Sequence, residues 1–209
     1  VLNPSPSTDE RLVILLHGIG GTGATLMPVA ESWRHVLPNV RFAAPNAPYR
    51  HMYGYGYQWF GVEPEQLRPD RLQIVRQAFD DVIREILRKE GFEDRLRHVT
   101  FVGVSQGAIM GLDGVASGRW PIGALVCFAG LLSPTPVSEI GKDTPVLLVH
   151  GQTDRTIPAT ASEVAARQLR AAGFDVSLKI LPGVGHTVTL EGAQAALHFL
   201  QDRAFLVVG

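Results

Sequence analysis

Val99-Thr100-Phe101-Val102-Gly103-Val104-Ser105-Gln106-Gly107 reads as a buried strand that stops at a serine and turns at once into a helix. The run Val99–Val104 is β-branched and apolar, the composition of a strand. The helix-like run from Gln106 to Ala116 follows with no linker. A serine on so sharp a turn is held in a strained backbone conformation, and its Oγ is aimed away from the sheet. The positions two before and two after it are crowded, which accounts for Gly103 and Gly107. The pattern predicts an activated serine.

The rest of the chain repeats the alternation of strand and helix. Apolar runs at Leu12–Leu16, Val40–Ala44, Ile122–Phe128, Val146–Val149 and Val176–Ile180 join Val99–Val104 as predicted strands. They are continuous rather than alternating, as in strands covered on both faces. Amphipathic segments at Ala24–Val36, Arg71–Lys89, Gln106–Ala116, Ala159–Ala171 and Leu190–Gln201 are the predicted helices. In Arg71–Lys89 the residues Leu72, Val75, Phe79, Val82, Ile83, Ile86 and Leu87 form one apolar stripe. Gly91 and Gly173 stand where helix C-caps are expected. The reading is an α/β fold: one domain over 1–209, with a mostly parallel sheet and helices on both faces.

Bulk properties exclude several classes. The 209 residues carry a net charge of −1, with 45% hydrophobic and 19% charged residues. That is a globular composition, and no Lys/Arg block points to nucleic acid or an anionic membrane surface. No apolar run reaches the roughly 20 residues of a membrane helix. The opening Val-Leu-Asn-Pro-Ser-Pro-Ser has no charged and apolar leader pattern, so no signal peptide is expected within it, and the missing initiator methionine points to a trimmed N-terminus. The single cysteine, Cys127, lies in an apolar run and reads as a buried structural thiol.

A serine hydroxyl needs a base, and the base an orienting carboxylate. In open α/β sheets these groups gather at the carboxyl ends of the strands. Asp154 follows Val146–Val149, and His186 follows Val176–Ile180, so both pass that filter. Asp143 and Asp175 precede their strands, and Asp113 lies two turns into the helix after Ser105. Among the other histidines, His35, His98 and His198 read as surface or packing residues, and His150 as a satisfied core imidazole. His51 sits in an aromatic loop where it could touch substrate. The expected constellation is Ser105, His186 and Asp154.

A second motif, His17-Gly-Ile-Gly-Gly-Thr-Gly23, follows the first strand. Its glycines match a phosphate-binding pattern, but no acidic residue ends the next strand and no Gly-Lys-Ser/Thr is present. Beside an activated serine its better role is an oxyanion hole, built from the backbone N–H groups of Ile19 and Gln106. His17 is read as bracing this loop. The stretch Pro45–Pro69 is long, aromatic and glycine-rich, and reads as a functional loop. The connection Ala129–Thr144 is short. Trp59, Leu131, Leu132 and Val184 are candidates for an acyl pocket. The apolar tail Phe205–Val208 is read as docking on the body or at a subunit contact.

Together these pieces resemble the phospholipase/carboxylesterase family of α/β-hydrolases. The residues that carry the resemblance are Leu15–Gly23, Pro45–Pro48, Trp59-Phe60, Gly103–Gly107, His150–Asp154 with Ile157-Pro158, and Gly185-His186. Val104 and Ala108 depart from it, since relatives more often have an aromatic residue and a glycine there. The resemblance implies an α/β-hydrolase fold. In many such proteins a helical lid follows the strand holding Cys127, and the short connection here implies none. It also implies hydrolysis of small carboxylic esters or thioesters through an acyl-enzyme, without metal or organic cofactor. Lysophospholipase and acyl-protein thioesterase activity are the alternatives, and a non-catalytic ligand-binding protein of the same fold is the rival. A cytoplasmic enzyme without stable membrane insertion, often a homodimer, is the accompanying expectation.

Overall fold

A computed structural model of the chain describes residues 2–37, 39–61, 69–134 and 136–204. In chain order the strands are β1 (Arg11–Leu16), β2 (Val40–Ala43), β3 (Tyr49–Arg50), β4 (Tyr57–Gln58), β5 (Val99–Val104), β6 (Ala124–Phe128), β7 (Val146–Gly151) and β8 (Val176–Leu181). Six of them form one sheet in the order β2-β1-β5-β6-β7-β8, with every pairing parallel. The fold class expected from the alternating runs is the one observed.

Alternate residues of each strand feed two separate cores, as the period of two demands. Leu12, Ile14 and Leu16 of β1 face one core with Val99 and Phe101 of β5. Val13 and Leu15 face the other with Val102. The helices α2 (Pro69–Glu90), α3 (Gln106–Ala116) and α4 (Thr160–Ala171) cover the first face, contributing Phe79, Met110 and Leu169 among others. The helices α1 (Met27–Arg34) and α5 (Leu190–Arg203) cover the second through Trp33, Phe199 and Leu200. Of the predicted stripe in α2, Leu72, Val75, Phe79, Ile83 and Leu87 are buried, and Val82 and Ile86 pack partly buried beside them. Gly91 ends that helix at φ 78° and Gly173 follows α4 at φ 90°, conformations an L side chain resists.

Two stretches differ from expectation. The predicted helix Ala24–Val36 is split: Gly23–Leu26 is a 3-10 turn, and the α-helix begins only at Met27. Pro28 has no N–H to give to Ala24, so the i→i−4 ladder cannot start earlier. The aromatic loop contains a short antiparallel hairpin, β3 on β4, with Tyr49 opposite Gln58 and Arg50 opposite Tyr57. Its bend uses Gly54 and Gly56, both at positive φ. The described part of the Ala129–Thr144 connection holds no helix. Val62–Arg68 of the aromatic loop and the tail Phe205–Val208 lie outside the described residues.

Candidate active site

The strand β5 delivers Ser105 to the sheet edge. Its φ and ψ are 53° and −116°, a region non-glycine residues rarely occupy. The strain is held from both sides: the Ser105 N–H donates to the Phe128 carbonyl at 2.9 Å, and the Ser105 carbonyl accepts the Ile109 N–H at 2.9 Å. Crowding enforces the flanking glycines. A Cβ on Gly103 would lie 2.5 Å from the Ala108 nitrogen, and one on Gly107 would lie 2.1 Å from the Leu16 carbonyl oxygen. Ser105 is 8% exposed.

His186, on the turn after β8, reaches back over this edge. Its Nε2 stands 3.0 Å from Ser105 Oγ, and its Nδ1 stands 2.6 Å from Asp154 Oδ2. Asp154, on the loop after β7, is fully buried at its side chain. Its other oxygen, Oδ1, accepts the backbone N–H groups of Thr156 at 2.8 Å and Ile157 at 3.0 Å. Burial alone would raise its pKa, but the hydrogen bonds from His186, Ile157 and Thr156 outweigh it and hold the carboxyl below the usual range. An ionised Asp154 can only accept, so the His186 proton sits on Nδ1. Nε2 is left as an acceptor facing the serine hydroxyl.

The loop after β1 passes directly beside the serine, where a Cβ on Gly18 would come within 3.3 Å of Ser105 Cβ. His17, wholly buried, braces it: Nδ1 donates to the Gly18 carbonyl at 2.7 Å and Nε2 accepts the Ala47 N–H at 2.9 Å. Burial lowers its pKa, against the Gly18 bond that favours the charged ring. Gln106 is the first residue of α3, so its backbone N–H has no partner within the helix. The backbone of Ile19 lies on the same loop as Gly18, and its side chain is exposed.

Residues 2–203 match the model of the phospholipase/carboxylesterase family, nearly the whole chain. The chain belongs to that family. Relatives include an acyl-protein thioesterase 1 of Gibberella zeae, 26% identical over 96% of this chain and 93% of that protein. The esterase YpfH of Escherichia coli is 25% identical over 92% of this chain and 82% of that protein. Among solved structures, esterase PE8 is 32% identical, with a TM-score of 0.81 and 96% of each chain covered. The parallel sheet with its flanking helices is therefore that of an α/β-hydrolase esterase.

Within this family frame the expected pocket residues separate. Trp59 is 1% exposed and offers no free face. Its ring packs on Phe79 with centroids 5.4 Å apart, and its indole N–H donates to the His17 carbonyl at 2.8 Å. It is a bracket between the hairpin and the His17 loop. Leu131 and Leu132 are half-buried and pack against the first core, and Val184 packs against the second.

Two side-chain ties escaped the sequence reading. Gln106 was given a role only through its backbone, yet its side chain accepts the Trp59 N–H and donates to the Phe60 carbonyl. The signal available was the Ser-Gln pair itself. Asp113, dismissed as an acid, is wholly buried on α3 and binds Arg76 and Arg119 at 2.7–2.9 Å. It also accepts the Ser133 hydroxyl, which ties the connection carrying Leu131 and Leu132 to the serine helix.

Proposed function

We propose that this protein is a serine carboxylesterase that hydrolyses carboxylic esters or thioesters through an acyl-enzyme, with Ser105, His186 and Asp154 as its triad. The observation that supports the reading is the single imidazole bridging Ser105 Oγ at 3.0 Å and Asp154 Oδ2 at 2.6 Å. His186 Nε2 takes the proton of Ser105 as Oγ attacks the acyl carbon. The carbonyl electrons move to an oxyanion held by the N–H groups of Ile19 and Gln106. One such donor contributes about 3–4 kcal/mol of transition-state stabilisation. The tetrahedral intermediate collapses, and His186 returns the proton to the leaving alcohol or thiol. Water then repeats the sequence on the acyl-enzyme, with the same base. Asp154 keeps the imidazole oriented and stabilises its charged form.

Leu131, Leu132 and Val184 are proposed to line the acyl side. An open edge, with no helix over the described β6–β7 connection, suits small or exposed esters. The thioester reading draws support from the fungal relatives named acyl-protein thioesterase 1. A cytoplasmic setting and a homodimer complete the proposal, on family membership alone. The reading is tested with p-nitrophenyl esters of increasing chain length beside an acyl-CoA thioester. Turnover of the short esters, abolished in Ser105→Ala, is expected. No turnover of any ester or thioester by folded protein would favour the non-catalytic, ligand-binding alternative.

A further inference from the structure

Asp154 Oδ2 faces two imidazoles. His186 lies at 2.6 Å on one side. On the other, His150 Nε2 lies at 3.2 Å, with both side chains wholly buried. His150 is fixed at both ring nitrogens. Nε2 meets the Ile157 carbonyl at 2.8 Å, and Nδ1 meets Ser162 Oγ of α4 at 2.7 Å. A carbonyl can only accept, so Nε2 must carry the proton, and Nδ1 then accepts the Ser162 hydroxyl. One neutral tautomer satisfies both ring nitrogens. The circuit closes on Asp154 itself, because the Ile157 N–H donates to Oδ1 at 3.0 Å.

We propose that His150 is a positioning residue for the hydrolytic reaction. Its Nε2–H, aimed at Ile157 O with Asp154 Oδ2 at its flank, withdraws charge from that oxygen and thereby sets the basicity of His186. The inference rests on the reading of His186 as the base. The physical argument concerns competition for one oxygen. In a buried, low-dielectric site a fixed N–H dipole near a carboxylate oxygen weakens its hold on any other proton donor. Asp154 therefore stabilises the His186 imidazolium less than an isolated carboxylate would. His186 is thereby kept available as the base. The titratable groups in contact with Asp154 among the described residues are His186, from the turn after β8, and His150, from β7.

The direction of the effect separates this role from a structural one. With the dipole removed, Oδ2 becomes more basic and the His186 imidazolium more stable. The acid limb of kcat/KM then moves to higher pH. Were His150 merely a packing group, its loss would loosen Asp154, and the limb would stay or move down.

The test compares pH profiles of p-nitrophenyl acetate hydrolysis for the intact chain and for His150→Leu, His150→Asn and His150→Gln. A glutamine amide reaches the position of Nε2; an asparagine amide reaches only that of Nδ1. The acid limb is expected to rise by about half a unit to one unit in the Leu and Asn variants. In the Gln variant it is expected to return toward the unmodified protein. If His150→Leu does not fold, the Asn and Gln pair decides. An unmoved or lowered limb in His150→Asn overturns the proposal, whatever the change in Tm. Failure of the underlying reading looks different: the unmodified protein would then be inactive, or would keep its activity in His186→Ala.

Discussion

Gln106 Oε1 accepts the backbone N–H of Trp59 at 3.0 Å. The residue next to the serine thus ties the β3–β4 hairpin to the turn, and the tie is completed by Gln106 Nε2 on the Phe60 carbonyl at 2.9 Å. Trp59 extends it to the loop after β1 through its indole N–H on the His17 carbonyl. Three chain segments distant in sequence are locked around Ser105 by these bonds.

Gln106→Leu keeps the backbone N–H proposed for the oxyanion but strands a buried N–H and a buried carbonyl. Each unsatisfied group costs about 1–3 kcal/mol. Urea unfolding should show a loss of about 2–4 kcal/mol, accompanied by a lower kcat. Unchanged stability would mean that the side-chain tie is dispensable.

His17 predicts a pH dependence of stability. Its folded pKa is lowered, chiefly by burial, so the unfolded chain binds the proton more readily. The stability is fully present above the unfolded value of about 6.5 and declines as pH falls below it toward the folded value. Unfolding free energy should therefore drop between pH 7 and 5.5 more in the unmodified protein than in His17→Asn. Equal slopes would place the titration elsewhere.

Asp113 predicts a loss in strong acid. Burial raises its pKa, but the bonds from Arg76 and Ser133 and the charges of Arg119 and Arg76 reverse this and leave it lowered. Its contribution is present above about 3.9, the unfolded value, and is lost as pH falls through the folded one. At neutral pH, Asp113→Ala leaves two guanidinium groups without this partner and should cost about 3–5 kcal/mol. A thermal scan with Tm unchanged would contradict this. The acyl-chain preference should shift with it, because Ser133 loses its anchor.

Asp154→Asn tests the orientation of the base. An amide can turn its NH₂ toward Nδ1 and so favour the tautomer with its proton on Nε2, facing Ser105. A loss of about 10⁴ in kcat is expected with the fold retained, measured by ester turnover and circular dichroism. A variant within tenfold of the unmodified rate would remove Asp154 from the mechanism.

Much of this was legible in the chain because the cues are local. Continuous apolar runs with Gly103 and Gly107 beside a serine define strand, turn and helix without reference to anything distant. The edge filter then brought Asp154 and His186 to Ser105, since parallel strands put all their carboxyl ends on one side. The packing of Trp59 was not legible for the opposite reason. Its aromatic, glycine-rich surroundings suggest a loop open to ligand, and only the long-range bond to His17 O shows why the ring is buried. The Asp113 cluster was hidden likewise, since Arg76 and Arg119 reach it from separate elements. The split of the first predicted helix was readable in Pro28.

The most direct test of the account is covalent labelling with a fluorophosphonate probe followed by peptide mass spectrometry. The account predicts one adduct, on Ser105 in the peptide spanning Gly103–Gly107, and its disappearance in Ser105→Ala. An adduct on another residue, or none on active protein, would contradict it.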